Sequence, residues 1–202
     1  MKIPSQQSNN ISLDDDVLVK NCQRGDMESM ALLITRYQDR LYNAIIKICS
    51  NPEDAAELTQ EAFVKVIENI TKFRSRSSFY TWLFRVGVNL TITYCKRRNK
   101  IRTSSLDAPL DSQQENAQNQ LSAYLACKEK ADPSVLVQDK EIREILMDTL
   151  SNLDDNYRVV LVLRDIEGMS YQEIADVLEV ELGTVKSRIS RARSELKERL
   201  QT

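Results

Sequence analysis

Apolar side chains along this chain recur at intervals of three and four residues, the spacing that lines one face of an α-helix. Leu33, Tyr37, Leu41, Ile45 and Ile48 keep that spacing and predict a helix over 30–49. A shorter helix precedes it, opening at Ser12 or Asp14, carrying Val17, Leu18 and Cys22, and broken at Gly25-Asp26. Asn51-Pro52-Glu53-Asp54 is a start signal. Asn caps free N–H groups, Pro suits the first helical position, and the acids sit at the positive end of the helix dipole. The third helix therefore runs from there to about residue 70, and a fourth covers 79 to about 98, apolar in its first half and basic at its end.

From 103 to 139 the periodicity lapses. This stretch holds Gln, Asn, Ser and Ala, two prolines, and six acids against two lysines, and it reads as an acidic linker with a short helix near 121–130. Helical spacing returns in three segments, 141–151, 154–167 and 170–200, the last divided near 179–181. The expected organisation is a polar tail over 1–11, a helical domain over 12–102, a linker over 103–139 and a smaller helical domain over 140–202. The fold class is all-α, and the scarcity of turn formers agrees with it: only four Gly and four Pro occur in 202 residues.

The end of the chain carries a helix-turn-helix pattern. Ser170-Tyr171-Gln172-Glu173 is a capping box directly after Gly168, so a helix starts at Ser170 and turns Ile174, Ala175 and Leu178 to the core. In the next helix Val185, Ile189, Ala192 and Leu196 share one stripe, which leaves Gly183, Thr184, Ser187, Ser190, Arg191 and Ser194 on the other side, flanked by Lys186 and Arg188. Small, hydroxylated and cationic residues suit a helix in a DNA major groove, because short side chains admit the backbone while Lys and Arg reach base edges or phosphates.

Charge sharpens this reading. The net charge is -2, yet nine basic residues and no acidic one lie between Asn69 and Leu106, and Lys186, Arg188, Arg191 and Arg193 stand in a second acid-free tract. Two separated basic tracts in an acidic chain imply two places that meet phosphate. Cys22, Cys49, Cys95 and Cys127 form no CxxC pair, and no His is present to complete a mixed metal site, so they read as structural thiols and no cofactor is expected. No apolar run is long enough to span a bilayer, so membrane insertion is not expected and the cytoplasm is the expected compartment.

Two stretches resemble a known family. The run from Leu153-Asp154-Asp155-Asn156-Tyr157-Arg158 through Gly168-Met169-Ser170-Tyr171-Gln172-Glu173-Ile174-Ala175, continued by Gly183-Thr184-Val185-Lys186-Ser187-Arg188, resembles region 4 of extracytoplasmic-function (ECF) sigma factors. Asp54-Ala55-Ala56-Glu57-Leu58-Thr59-Gln60-Glu61-Ala62-Phe63 and Phe79-Tyr80-Thr81-Trp82-Leu83-Phe84-Arg85-Val86-Gly87-Val88-Asn89 resemble their region 2. The resemblance implies a non-enzymatic subunit that directs RNA polymerase core to promoter DNA. Region 2 docks on the β' clamp helices and opens the -10 element, and region 4 reads the -35 element and contacts the β flap. By the same resemblance the linker threads toward the RNA exit path, and an anti-sigma factor is an expected partner.

Carried residue by residue, the resemblance puts polymerase-core contacts on Leu58, Gln60, Glu61 and Val64. Contacts to the -10 element fall on Phe73, Arg74, Arg76, Phe79, Tyr80 and Asn89, with Lys96, Arg97 and Arg98 near the backbone. Cations beside aromatic rings suit that task, since they hold phosphates and a splayed base together. Contacts to the -35 element fall on Lys186, Ser187, Ser190 and Arg191, with Thr184 and Arg188 toward phosphate. The region 2 loop departs from the family pattern, having Ser75-Arg76-Ser77 where a Gly-Asp pair is common. Two other readings are a free-standing helix-turn-helix regulator, which does not account for the first basic tract, and a helical-bundle enzyme, for which no glycine loop, ligand cluster or nucleophile-base pair is found.

Overall fold

The computed structural model describes residues 14–104 and 148–201. The linker, its short helix at 121–130 and most of the segment 141–151 lie outside the described residues. Four helices build the first half: α1 (Asp15–Gln23), α2 (Met27–Cys49), α3 (Pro52–Asn69) and α4 (Phe79–Ser104). A 3-10 turn at Ile70–Lys72 continues α3. The second half has the end of a helix at 148–151, then α5 (Asp155–Leu161), a π-helical turn (Val162–Ile166), α6 (Tyr171–Leu178) and α7 (Leu182–Leu200). Every regular element among the described residues is helical, in agreement with the all-α expectation.

Helix boundaries follow the local capping chemistry. α2 starts at Met27, three residues before the start expected from the apolar spacing, because Asp26 caps it, its side chain accepting from the Glu28 N–H at 3.0 Å. Asn51 caps α3 by accepting from the N–H groups of Glu53 and Asp54, at 2.9 and 3.1 Å. α4 extends past residue 98, beyond the length its apolar spacing indicated.

In the first half α2 packs on α1, α3 and α4, and α3 packs on α4. α2 and α4 approach closely at Gly87, where a Cβ would lie 2.8 Å from Leu41 Cδ1. Asp15 ties α1 to α2 through Arg36 and the Tyr37 hydroxyl. In the second half α7 packs on both α5 and α6.

The two halves also touch each other, which nothing in the periodic pattern announces. α6 lies along α4, and α2 meets both α5 and the π-helical turn. Buried apolar side chains of both halves form one continuous cluster. Cys22, Cys49 and Cys95 are free thiols inside it, consistent with a structural role, and burial pushes Cys49 up to about 12.

Candidate nucleic-acid interface

The helix-turn-helix is assembled by two local devices. At its start the Ser170 hydroxyl accepts from the Glu173 N–H at 3.2 Å, and the Glu173 carboxylate accepts from the Ser170 N–H at 2.8 Å. The Ser170 N–H and then its hydroxyl hold the Glu173 carboxyl below its ordinary range. At the turn, Glu179 takes φ +54 and the Val180 N–H reaches back to the Ala175 carbonyl at 3.1 Å, which ends α6 and redirects the chain into α7.

Val185, Ile189 and Ala192 anchor α7 in the core. The opposite face leaves Lys186, Ser187, Ser190 and Arg191 exposed, with Thr184 and Arg188 half-buried at its edges. The structure therefore brings the six candidate -35 residues together on the first half of α7. Further along, Glu195 and Glu198 alternate with Lys197 and Arg199, and Arg193 is engaged by Asp165 at 2.6 Å. The face free of acids thus covers the first turns, where a groove-bound helix makes its base contacts.

On α3, Gln60, Glu61 and Val64 are exposed, with Val64 presenting an apolar side chain to solvent and Glu61 pairing with Lys65 at 3.1 Å. Leu58, of the same set, is buried, because α3 turns that position onto the bundle.

The aromatic residues before and within α4 also turn inward. Phe73 and Phe79 are buried and stack about a half-buried Trp82, with the Phe73 and Trp82 rings 4.8 Å apart. The Gln23 side chain fastens the base of this loop by donating to the Ile70 and Phe73 carbonyls, at 3.0 and 2.9 Å. The loop's surface is left to Arg74 and Arg76, both exposed, around Ser75 at φ +47. At the far end of α4, Lys96 and Arg97 are exposed and Asn89 is half-buried. Arg98 is turned inward: it donates to the Cys49 carbonyl at 3.0 Å, pairs with Asp54 at 3.8 Å and lies over the Tyr94 ring. Tyr80 is half-buried, its hydroxyl donating to Glu167 of the second half at 3.0 Å.

The comparisons with known proteins decide what this arrangement belongs to. Residues 33–101 match the family described as Sigma-70 region 2, and residues 143–196 match Sigma-70, region 4. The ECF RNA polymerase sigma-E factor of Escherichia coli (strain K12) is 35% identical over 189 residues, which cover 94% of this chain and 95% of that protein. The chain belongs to the ECF group of the sigma-70 family. It is an RNA polymerase sigma factor, whose partners are polymerase core and promoter DNA and whose task lies in transcription initiation.

The sigma-E factor of Haemophilus influenzae is 32% identical over 94% of this sigma factor and 96% of its own length. Among solved structures, CnrH in complex with the cytosolic domain of CnrY is 25% identical, with a TM-score of 0.65 over 93% of this chain and 98% of that one. The sigma factor RpoE of Bartonella quintana, solved with the anti-sigma factor NepR, shares the fold at 21% identity and a TM-score of 0.63, over 85% of this chain and 96% of that one. No described helix of the ECF factor is long and apolar enough to cross a membrane.

Three residues that bind the two halves together were not singled out from the sequence: Arg40, Arg158 and Glu167. Arg158 left a signal, being one charge set against the apolar run Val159 to Leu163. Arg40 sits in a polar stretch of α2 and Glu167 beside a glycine, where charges are ordinary, so neither carried one.

Proposed function

We propose that this sigma factor divides its work along the two halves described above. The first half engages the β' clamp helices of polymerase through Gln60, Glu61 and Val64. It acts at the -10 element through Arg74, Arg76, Tyr80 and Asn89, with Lys96 and Arg97 on the backbone. The second half reads the -35 element through Lys186, Ser187, Ser190 and Arg191, with Thr184 and Arg188 on phosphates, and contacts the β flap.

The linker over 103–139 sets the reach between the domains over 12–102 and 140–202, so that two weak contacts become one specific event through effective concentration. The protein performs no catalysis of its own and acts in the cytoplasm, where polymerase and chromosome are. An anti-sigma protein is a further partner, as NepR is for the sigma factor RpoE of Bartonella quintana.

The observation that carries this reading is the acid-free exposed face on the first turns of α7, presented by a capped helix-turn-helix. Run-off transcription with purified polymerase core and genomic fragments, with and without the protein, tests it. The expected result is a set of transcripts that depends on the protein, and their start sites identify its promoters. No protein-dependent transcript from any fragment would refute it.

A further inference from the structure

Gln23 is the last residue of α1, and its side chain leaves its own helix to hold a loop distant in sequence. Its half-buried amide Nε2 donates to the Ile70 carbonyl at 3.0 Å and to the Phe73 carbonyl at 2.9 Å, one N–H to each. Ile70 opens the 3-10 turn and Phe73 caps it, both are buried, and the loop over 74–77 departs from that point. The donor is itself fixed. Gly25 at φ +91 turns the chain out of α1, and the Asp26 N–H reaches back to the Asn21 carbonyl at 3.1 Å. Asn21 donates to Ser29, whose hydroxyl donates to the Asp26 carboxylate at 2.6 Å.

At its far end the loop runs into the cap of α4, where the Ser78 hydroxyl accepts from the Thr81 N–H at 3.0 Å. Between these two fixed ends Arg74, Ser75 and Arg76 are exposed, and neither guanidinium has a protein partner among the described residues. Ser75 sits at φ +47, a conformation that such a residue keeps only where its surroundings hold it there. The cations of the tip are thus open to a ligand while the backbone that carries them is held. Ordering a loop before it meets a flexible single strand removes part of the entropy cost of binding. None of the residues given above to polymerase or DNA lies on α1, so a role for this helix is additional to theirs.

We propose that Gln23 is a positioning residue for promoter opening. It sets the loop over 74–77 so that Arg74 and Arg76 meet the -10 strand in one register, and α1 is the buttress of that loop. The inference rests on the assignment of Arg74 and Arg76 to the -10 element under the proposed function. Gln23 itself reaches no DNA. It acts through two carbonyls, so its loss falls on the loop's share of recognition and leaves the -35 face of α7 and the exposed side of α3 as they are.

Two variants of the full chain test it. Gln23→Leu removes both donors and keeps a good helix former at the end of α1, and Gln23→Glu removes them while keeping the shape. In the free chain, hydrogen exchange at the amides of 74–78 is expected to speed up at least about threefold in both, with the centres of α2 and α3 unchanged. With polymerase core on a promoter that wild type opens, Gln23→Leu is expected to slow open-complex formation about tenfold. The penalty for a changed -10 base is expected to shrink, while the penalty for a changed -35 base stays as in wild type. In a chain already carrying Arg74→Ala and Arg76→Ala, adding Gln23→Leu is expected to change the rate by less than about twofold, because the residue works through that pair. Unchanged exchange in 74–78 overturns the inference. So does a full further loss on top of the arginine pair, or a -35 penalty that falls as far as the -10 penalty, since either makes Gln23 a general stabiliser of the bundle. A wild type that opens no promoter refutes the proposed function instead, and is told apart because exchange in 74–78 still responds to Gln23→Leu.

Discussion

Arg158 shows how much one side chain can hold. Its guanidinium donates to the carbonyls of Leu150, Ser151 and Leu153, at 2.8, 2.5 and 2.8 Å, and to Ile48 across the seam at 2.7 Å. Ile48 lies in the last turn of α2, Leu150 and Ser151 at the end of the helix over 148–151 and Leu153 in the bend that follows, so the cation serves both C-termini at once. Arg158→Met keeps much of the volume and leaves four acceptors short of a donor. It is expected to cost about 3 kcal/mol in urea unfolding, within the usual range for stripping a buried hydrogen-bonded cation from its partners. Ser170 works at a smaller scale. Ser170→Ala removes the hydroxyl that caps α6 and is expected to cost about 1 kcal/mol at pH 7. Because Glu173 has its carboxyl depressed in the folded state, its contribution is complete above the ordinary carboxylate value of 4.5 and is lost as pH falls through the lower folded value. The hydroxyl of Ser170 is one cause of that depression, so the stability gap between wild type and variant is expected to narrow in unfolding curves taken stepwise below pH 4.5.

At the scale of elements, much was legible. The starts of α3 and α6 were readable because caps act over two or three residues, as was the division of α7 into an inner stripe, with Val185, Ile189 and Ala192 buried and Leu196 half-buried, and an outer face, because a helix repeats its faces on a fixed period. What could not be read was which members of an aromatic or cationic group turn inward. Phe73, Phe79 and Arg98 have the composition of a nucleic-acid surface, but two entered the core and one went to the end of α2, because tertiary neighbours decide side-chain direction. Arg191 lies on the period-defined face and is exposed, so its assignment depends least on such neighbours. Arg191→Ala is expected to weaken holoenzyme binding to a -35 element by roughly 1–3 kcal/mol if the guanidinium makes a bidentate base contact. Binding measured across a set of -35 variants should lose discrimination at one position, and a uniform loss at every sequence would place Arg191 on phosphate instead.

For the whole molecule, the division into two helical halves followed from where periodicity lapsed and returned, but the contact between them did not. That contact depends on pairing individually ordinary charges across 127 positions of sequence, and no local rule relates Arg40 to Glu167. The distribution of charge is the counterpart that was legible, and it leads to a test of the finished arrangement. Lys96 and Arg97 point outward from the end of α4, whereas their neighbour Arg98 is engaged by Cys49 and Asp54. A cation that neutralises a phosphate releases a counterion, so binding falls with salt at a slope of about 0.9 per contact on duplex DNA. For the holoenzyme on promoter fragments, the combined Lys96→Ala and Arg97→Ala variant is expected to flatten the plot of log affinity against log salt by about 1.8 if both cations lie on duplex phosphates. Arg98→Ala is expected to leave that slope unchanged and to lower the unfolding midpoint in urea, because its partners lie inside the protein. The reverse pattern, with the slope following Arg98 and indifferent to Lys96 and Arg97, would mean that the end of α4 rearranges on polymerase and turns its inward cation to the DNA.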